Sequence, residues 1–319
     1  SRLYWEQLKS GTIATAQPNC NGKTLGKMLL PIPPKAEQSR LVQKLANFTP
    51  IFQRYAKAQQ DLDNLNKSID DKLKKSILQE AIQGRLVPQI TEEGTAQELL
   101  EQIKQEKLHL LKEGKLKKSA LVDSVIYKGD DNKYYEQVGK SDKEITEEIA
   151  FDLPNGWSWC RLKDICSIFT GATFKKEETV TTKEGVRILR GGNISPFELR
   201  IKDDDIFLTK DKVKEDIILK ENDILTPAVT SLENIGKMVR VNSDMPNTTV
   251  GGFVFIIRLY LKNQWLSKYI LYLLSSPFMI DFMKSITNKS GQAFYNIGKE
   301  RLSTALLPIP SLAEQHRIV

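Results

Sequence analysis

The chain has 319 residues, 40% of them hydrophobic and 27% charged, with a net charge of +7 and a pI near 9.0. That is an ordinary globular composition with room for one large or two medium domains. Three cysteines without paired spacing and only two histidines argue against a disulfide framework or a zinc site.

No signal peptide and no apolar run of about 18 residues is found, so the expected location is cytoplasmic and no membrane contact is expected. The positive balance leans toward a polyanionic partner, although a solvated basic surface is the commoner explanation of such a charge. The charge is spread along the chain, +3 over residues 1–150 and +4 over 151–319, with no basic tail.

In residues 1–33, Tyr4, Trp5 and Leu8 line one helical face. A polar loop follows, and then an apolar strand leading to Pro31. The block Leu29-Leu30-Pro31-Ile32-Pro33 … Ala36-Glu37-Gln38 … Arg40 … Val42 returns as Leu306-Leu307-Pro308-Ile309-Pro310 … Ala313-Glu314-Gln315 … Arg317 … Val319, identical at ten of fourteen positions and 277 residues away. A period that long excludes a solenoid and indicates a duplicated unit of domain plus connector. Each copy reads as a domain exit: a strand, a Pro-x-Pro break and a helix start. With no initiating Met and a stop in mid-unit, the chain is expected to be a window cut from a longer one.

From Lys35 to about Val87, apolar residues at Leu41, Leu45, Phe48, Phe52, Tyr55, Leu62, Leu65, Ile69, Leu73, Ile77 and Ala81 form an amphipathic stripe. Pro50 after Thr49 marks a kink or a fresh helix start, and Gly84 is a plausible terminator. The helix from Ile51 to Gln83 would span roughly 50 Å, a length and a stripe width that call for a partner helix as in a coiled coil. A second helix is expected over Thr95 to Lys112, and residues 119–152 read as an exposed linker with at most a short hairpin at Gly129.

A new domain opens at Leu153-Pro154-Asn155-Gly156-Trp157-Ser158-Trp159. Strands are expected at 187–189, 205–208, 223–225, 236–241 and 252–258, and helices at 265–275 and 278–286. Strands that precede helices favour a mixed twisted sheet, so the fold class is α/β in the α+β sense, with a long helical connector.

At the two repeated blocks the chain resembles the specificity subunit of type I restriction-modification systems. The resemblance extends to Ser76-Ile77-Leu78-Gln79-Glu80-Ala81-Ile82-Gln83-Gly84-Arg85-Leu86, the Trp157/Trp159 domain opening with Leu162, and Gly192-Asn193-Ile194. Asn222-Asp223-Ile224-Leu225 and Ile235-Gly236-Lys237 also fit. The resemblance implies five parts. Residues 1–33 end a first target-recognition domain, 34–118 are a helical spacer and 119–152 a linker. Residues 153–310 form a complete recognition domain, and 311–319 begin a second spacer.

It further implies a non-catalytic, cofactor-free subunit that reads double-stranded DNA and docks methyltransferase and restriction (motor) subunits. Its spacer pairs with a second helical spacer or a second copy of the chain. Glu37, Gln38 and Arg40 are then capping residues of the spacer's first turn. The competing readings are a nuclease or methyltransferase with an unrecognised active site, or a coiled-coil scaffold without a DNA role. No nucleotide loop, Walker lysine, zinc-protease, methyltransferase or nuclease motif is found. Asp203, Asp204 and Asp205 cannot all face one cation from a strand, and a solvated turn is expected there.

For DNA, Arg187 and Arg190 flank a strand end beside Gly192 and Asn193, and Arg to guanine and Asn to adenine are the favoured bidentate pairs. Surface ion pairs around a turn are the alternative reading. Lys289, Ser290, Gln292, Tyr295 and Asn296 form a polar, aromatic-bearing loop, with an ordinary Gly-centred connection as its alternative. Lys237 and Arg240 suit phosphates. Thr173, Lys175 and Lys176 resemble the family's first recognition loop. A solvated basic loop explains these last two sets equally well.

Overall fold

The computed structural model describes residues 2–11, 22–180, 184–290 and 294–319. Two compact units, Ser1–Asp70 and Asp71–Val319, divide the chain.

The first unit holds α1 (Arg2–Gly11), α2 (Gly22–Gly26) and the first part of α3 (Lys35–Ile82), which continues into the second unit. Pro50 lies inside α3 and does not break it. It withholds one backbone donor, and the Thr49 hydroxyl donates to Leu45 O at 2.9 Å in the same turn. The stripe residues Leu41 to Ile77 are all exposed. The strand expected before Pro31 is not formed: residues 28–34 are irregular, with Leu29, Leu30 and Ile32 exposed at 76, 71 and 81%.

In the second unit α3 ends at Gly84, whose φ of +67° is the left-handed cap that glycine adopts without strain. Thr95 then caps α4 (Ala96–Lys112): its hydroxyl accepts from Glu98 N, and the Glu98 carboxylate accepts from Thr95 N. Strands β1 (Ser124–Lys128), β2 (Tyr134–Val138) and β3 (Ser141–Glu144) form an antiparallel sheet where the sequence suggested a linker; the β1–β2 turn is the hairpin expected at Gly129.

That sheet is held by ion pairs, so apolar periodicity does not announce it. Arg161 donates to Glu136 at 3.1 and 2.6 Å and to Glu148 at 2.8 Å, and Lys107 pairs with Asp123. The guanidinium bonds hold the Glu136 carboxyl below its ordinary range, against the effect of burial.

The remaining elements follow in chain order: β4 (Ser158–Arg161), α5 (Leu162–Ile165), β5 (Cys166–Thr170), β6 (Thr179–Val180), β7 (Val186–Leu189), β8 (Ile194–Ser195), β9 (Glu198–Leu199) and β10 (Ile206–Leu208). Then come β11 (Ile224–Pro227), β12 (Val229–Thr230), β13 (Val239–Arg240), β14 (Thr248–Val250), β15 (Val254–Leu259), α6 (Gln264–Leu274) and α7 (Pro277–Ser285). The chain closes with β16 (Thr287–Ser290), β17 (Phe294–Ile297), α8 (Lys299–Ser303), β18 (Leu306–Ile309) and α9 (Leu312–Ile318).

Two four-stranded sheets carry this part of the unit. One has the order β14-β7-β10-β6, with β14 parallel to β7, and the other is the antiparallel sheet β13-β11-β15-β5. Strand alternation gives the second sheet two buried faces. Ile224 and its partner Ile257 point into a core with Leu266, Tyr269 and Leu302. Leu225 and its partner Ile256 point into another with Ile188, Leu189 and Val250. The fold is therefore a mixed α+β one, with buried strands beneath the loops.

Candidate nucleic-acid interface

The exposed polar loops are tied to two segments that are bonded to each other, Pro227–Thr230 at the end of β11 and Val250–Phe253 at the end of β14. Ala228 N donates to Phe253 O at 2.8 Å, and Ala228 O accepts from Ile297 N at 2.8 Å. β12 pairs with β17, Val229 opposite Asn296 and Thr230 opposite Tyr295, and β17 pairs with β16, Lys289 opposite Tyr295. Gly251 N reaches Leu189 O and Ala172 N reaches Val250 O, both at 2.8 Å. At Gly171 a Cβ would lie 2.2 Å from Val250 O, so the backbones meet where only glycine fits.

These bonds bring together the loops carrying Thr173, Lys175 and Lys176, Arg190 and Gly192, and Lys289, Tyr295 and Asn296. Gln292 lies outside the described residues, and Ser290 is the last residue of β16. Arg301, which the sequence reading missed, adds a cation to the hairpin by donating to Asn288 Oδ1 at 3.0 Å. Phe253 was also missed: Gly252-Phe253 reads as the start of a strand, yet β15 begins only at Val254.

Two expected base readers are turned into the protein. Asn193 is 1% exposed. Its Oδ1 accepts from Arg190 N at 2.8 Å, and its Nδ2 donates to Arg200 O at 2.9 Å and Asp205 Oδ1 at 2.6 Å. Arg187 donates to the fully buried Asp205 carboxylate at 2.9 Å and lies over the Phe207 ring at 4.9 Å. Asp205, expected in a solvated turn, is thus the hub of this knot, and it also accepts from Lys202 N at 2.9 Å. Burial works against its charge, but the Lys202 amide, Asn193 and Arg187 together keep the carboxyl below its ordinary range. No metal-holding cluster of His, Cys, Asp or Glu is found among the described residues.

Arg190 differs from both. Its side chain is 47% exposed, and it meets Asp204, itself exposed, at 3.2 Å, a pair that water and salt weaken. Arg240 stands apart from the loop cluster. It donates to Asn222 Oδ1 at 2.7 Å and Asn242 Oδ1 at 2.9 Å, in a recess shared with Phe197, Lys268 and Tyr272. Lys237 is half-buried in a turn closed by its own amide on Asn234 O, where Gly236 has φ +87°.

Residues 154–319, more than half of the chain, match the family model described as the type I restriction modification DNA specificity domain. The chain belongs to this family. The type I restriction enzyme EcoAI specificity subunit of Escherichia coli is 30% identical over 293 residues, and the EcoEI specificity subunit of the same species is 26% identical over 278. Each alignment covers 86% of this chain and 43% of the relative, so the chain spans less than half the length of the relatives it matches. Among solved structures, the HsdS subunit from Thermoanaerobacter tengcongensis aligns over the whole chain and 58% of its own length, with a TM-score of 0.43 and 18% identity.

The specificity domain closes through the second repeated block. β18 pairs with β4, and Tyr269 donates its hydroxyl to Pro308 O at 2.8 Å. Trp157 Nε1 donates to Gln89 Oε1 at 3.1 Å and Glu314 Oε2 at 3.0 Å, and Arg317 pairs with Glu93 at 2.7 Å. The segment Asn222-Asp223-Ile224-Leu225 is structural as well: Asp223 accepts from Arg258 Nε and Nη2, at 2.7 and 2.6 Å.

Burial pushes the Glu314 carboxyl up, against Gln89 and Trp157, and its Oε1 has no hydrogen-bond partner. A raised carboxyl adds stability below its unfolded pKa and loses it as pH rises through the folded value. Glu314→Gln is therefore expected to be at least as stable as the parent at pH 7. Its advantage should shrink toward pH 4, as urea midpoints across pH will show.

Proposed function

We propose that this protein recognises double-stranded DNA by sequence, using the loops gathered at Pro227–Thr230 and Val250–Phe253, and supplies half of a bipartite target specificity. The chain itself catalyses nothing. It directs methyltransferase and restriction (motor) subunits of a type I complex, with α3 as the spacer. The exposed stripe Leu41, Leu45, Phe48, Phe52, Tyr55, Leu62, Leu65 and Ile69 suits a second helical spacer or a second copy of the chain.

The observation that carries the reading is the loop cluster of the specificity domain. Exposed cations sit on loops tied to one another by backbone hydrogen bonds. Thr173, Lys175, Lys176, Arg190, Lys289, Tyr295 and Asn296 form the proposed contact set. Lys237 and Arg240 are left for phosphates further along the duplex. Arg187, Gly192 and Asn193 shape the loop that presents Arg190.

Replacing Lys175 and Lys176 with Ala is expected to weaken binding to all duplexes alike. The salt slope should fall by about one unit for each phosphate that is no longer neutralised. Arg190→Ala should cost about 1–3 kcal/mol of discrimination at one base pair. It should change stability by no more than about 0.5 kcal/mol, because its ion pair is exposed. Equilibrium binding at several stated salt concentrations tests both. Unchanged affinity and slope in the lysine variant would remove this face from the interface.

A further inference from the structure

We propose that Phe253 is an apolar wedge that inserts against the base stack of the bound duplex, with Phe294, on the strand paired to Val229–Thr230, as a second aromatic contact; this rests on the DNA-recognition reading above. Phe253 is 73% exposed, more than any other large hydrophobic side chain among the described residues of the unit Asp71–Val319, and Phe294 is 57% exposed. A single exposed apolar residue is ordinary on a protein surface. What sets Phe253 apart is how firmly its backbone is held.

It occupies the turn from β14 to β15, and so joins the two main sheets. Its carbonyl accepts from Ala228 N at 2.8 Å. Two residues earlier, Gly251 N is bonded to Leu189 O, and Val254 N returns to Gly251 O at 2.9 Å. A Cβ on Gly252 would come within 3.0 Å of Thr173 Oγ1, so the loop carrying Lys175 and Lys176 lies against the same turn. The backbone is therefore fixed while the ring projects into solvent. Such rigidity costs little further ordering on binding.

The surrounding charge selects the partner. Leu189, which anchors Gly251, is followed at once by Arg190. Thr173, at the turn, is followed two residues later by Lys175 and Lys176. Phe294 begins β17, next to the Lys289–Tyr295 pair, on a strand tied to Val229–Thr230. A rigid, exposed aromatic on a turn bonded to the segments that carry Arg190 and Lys175–Lys176 matches a polyanion with apolar layers inside it, as in duplex DNA. Apolar side chains that wedge between base steps unstack them locally, and flexible pyrimidine–purine steps yield most easily. Phe253 would then make part of the specificity depend on how easily the target deforms.

The test uses the full chain and a duplex recovered by selection, with 2-aminopurine placed at successive positions. The parent should raise fluorescence at one step. Phe253→Ala should abolish that rise and weaken target binding by about tenfold, within the range of a single base interaction. Its binding to competitor DNA and its thermal midpoint should stay unchanged. Phe253→Trp should keep the fluorescence rise. If Phe253→Ala binds the target with parental affinity and the parental fluorescence pattern, the wedge is overturned while DNA recognition stands. If selection enriches no sequence, the recognition reading falls and the wedge falls with it.

Discussion

Gly84→Ala is expected to destabilise the unit Asp71–Val319 by about 2–5 kcal/mol, combining a left-handed backbone penalty with overpacking. Gly84 turns the chain out of α3, with its own N–H on Ala81 O at 3.2 Å and Arg85 N on Glu80 O at 2.9 Å. A Cβ there would stand 2.4 Å from Pro154 Cγ and 3.2 Å from Trp157 Cε2. The substitution therefore strains the spacer's end and the domain opening together. Gly114→Ala is the control, since φ is +73° there but nothing lies within 4 Å of the added carbon. It should lose only about 1–2 kcal/mol, the backbone part. Denaturation of both variants separates the two causes. Equal losses would mean that Pro154 and Trp157 yield at no cost.

Asp205→Ala should be at least as damaging, at about 3–5 kcal/mol, because it removes the buried carboxylate and leaves Arg187 and Asn193 without their shared acceptor. A carboxyl held below its ordinary pKa adds stability above the unfolded value and loses it as pH falls through the folded one. The parent should therefore shed this contribution below about pH 4, the ordinary carboxylate range. Asp205→Asn should lack that part of the acid dependence. Urea denaturation from pH 7 down to pH 3 checks it. Parallel curves for parent and variant would show that the knot does not depend on the charge.

The two repeated blocks show what sequence does and does not encode here. Gln38 donates to Pro33 O at 2.8 Å and Gln315 to Pro310 O at 3.0 Å, the same local bond in both copies. Only the second copy forms a strand and is buried, because β4, Trp157 and Gln89 are there to receive it. Local chemistry repeats with the residues; burial depends on what faces them.

The same division explains the interface. The helix α4 was legible, as were the Gly84 stop and the main strands, because periodicity and helix termination are local signals. The inward turn of Asn193 and Arg187 was not, since it depends on Asp205, 12 and 18 residues further on. Of the sheet over 124–144 only the hairpin at Gly129 was legible, because Arg161 and Lys107 hold the sheet from outside the segment. Phe253 was masked by its neighbours, which read as one continuous strand from Gly252.

The central claim is that this chain selects duplexes by sequence. Its most direct test is to incubate the protein with a random duplex library at fixed salt, recover the bound fraction and sequence it. A single motif should be enriched, and its enrichment should fade when Arg190 and Phe253 are replaced by Ala. Bound and unbound pools of indistinguishable sequence, at every salt concentration that permits binding, would contradict it.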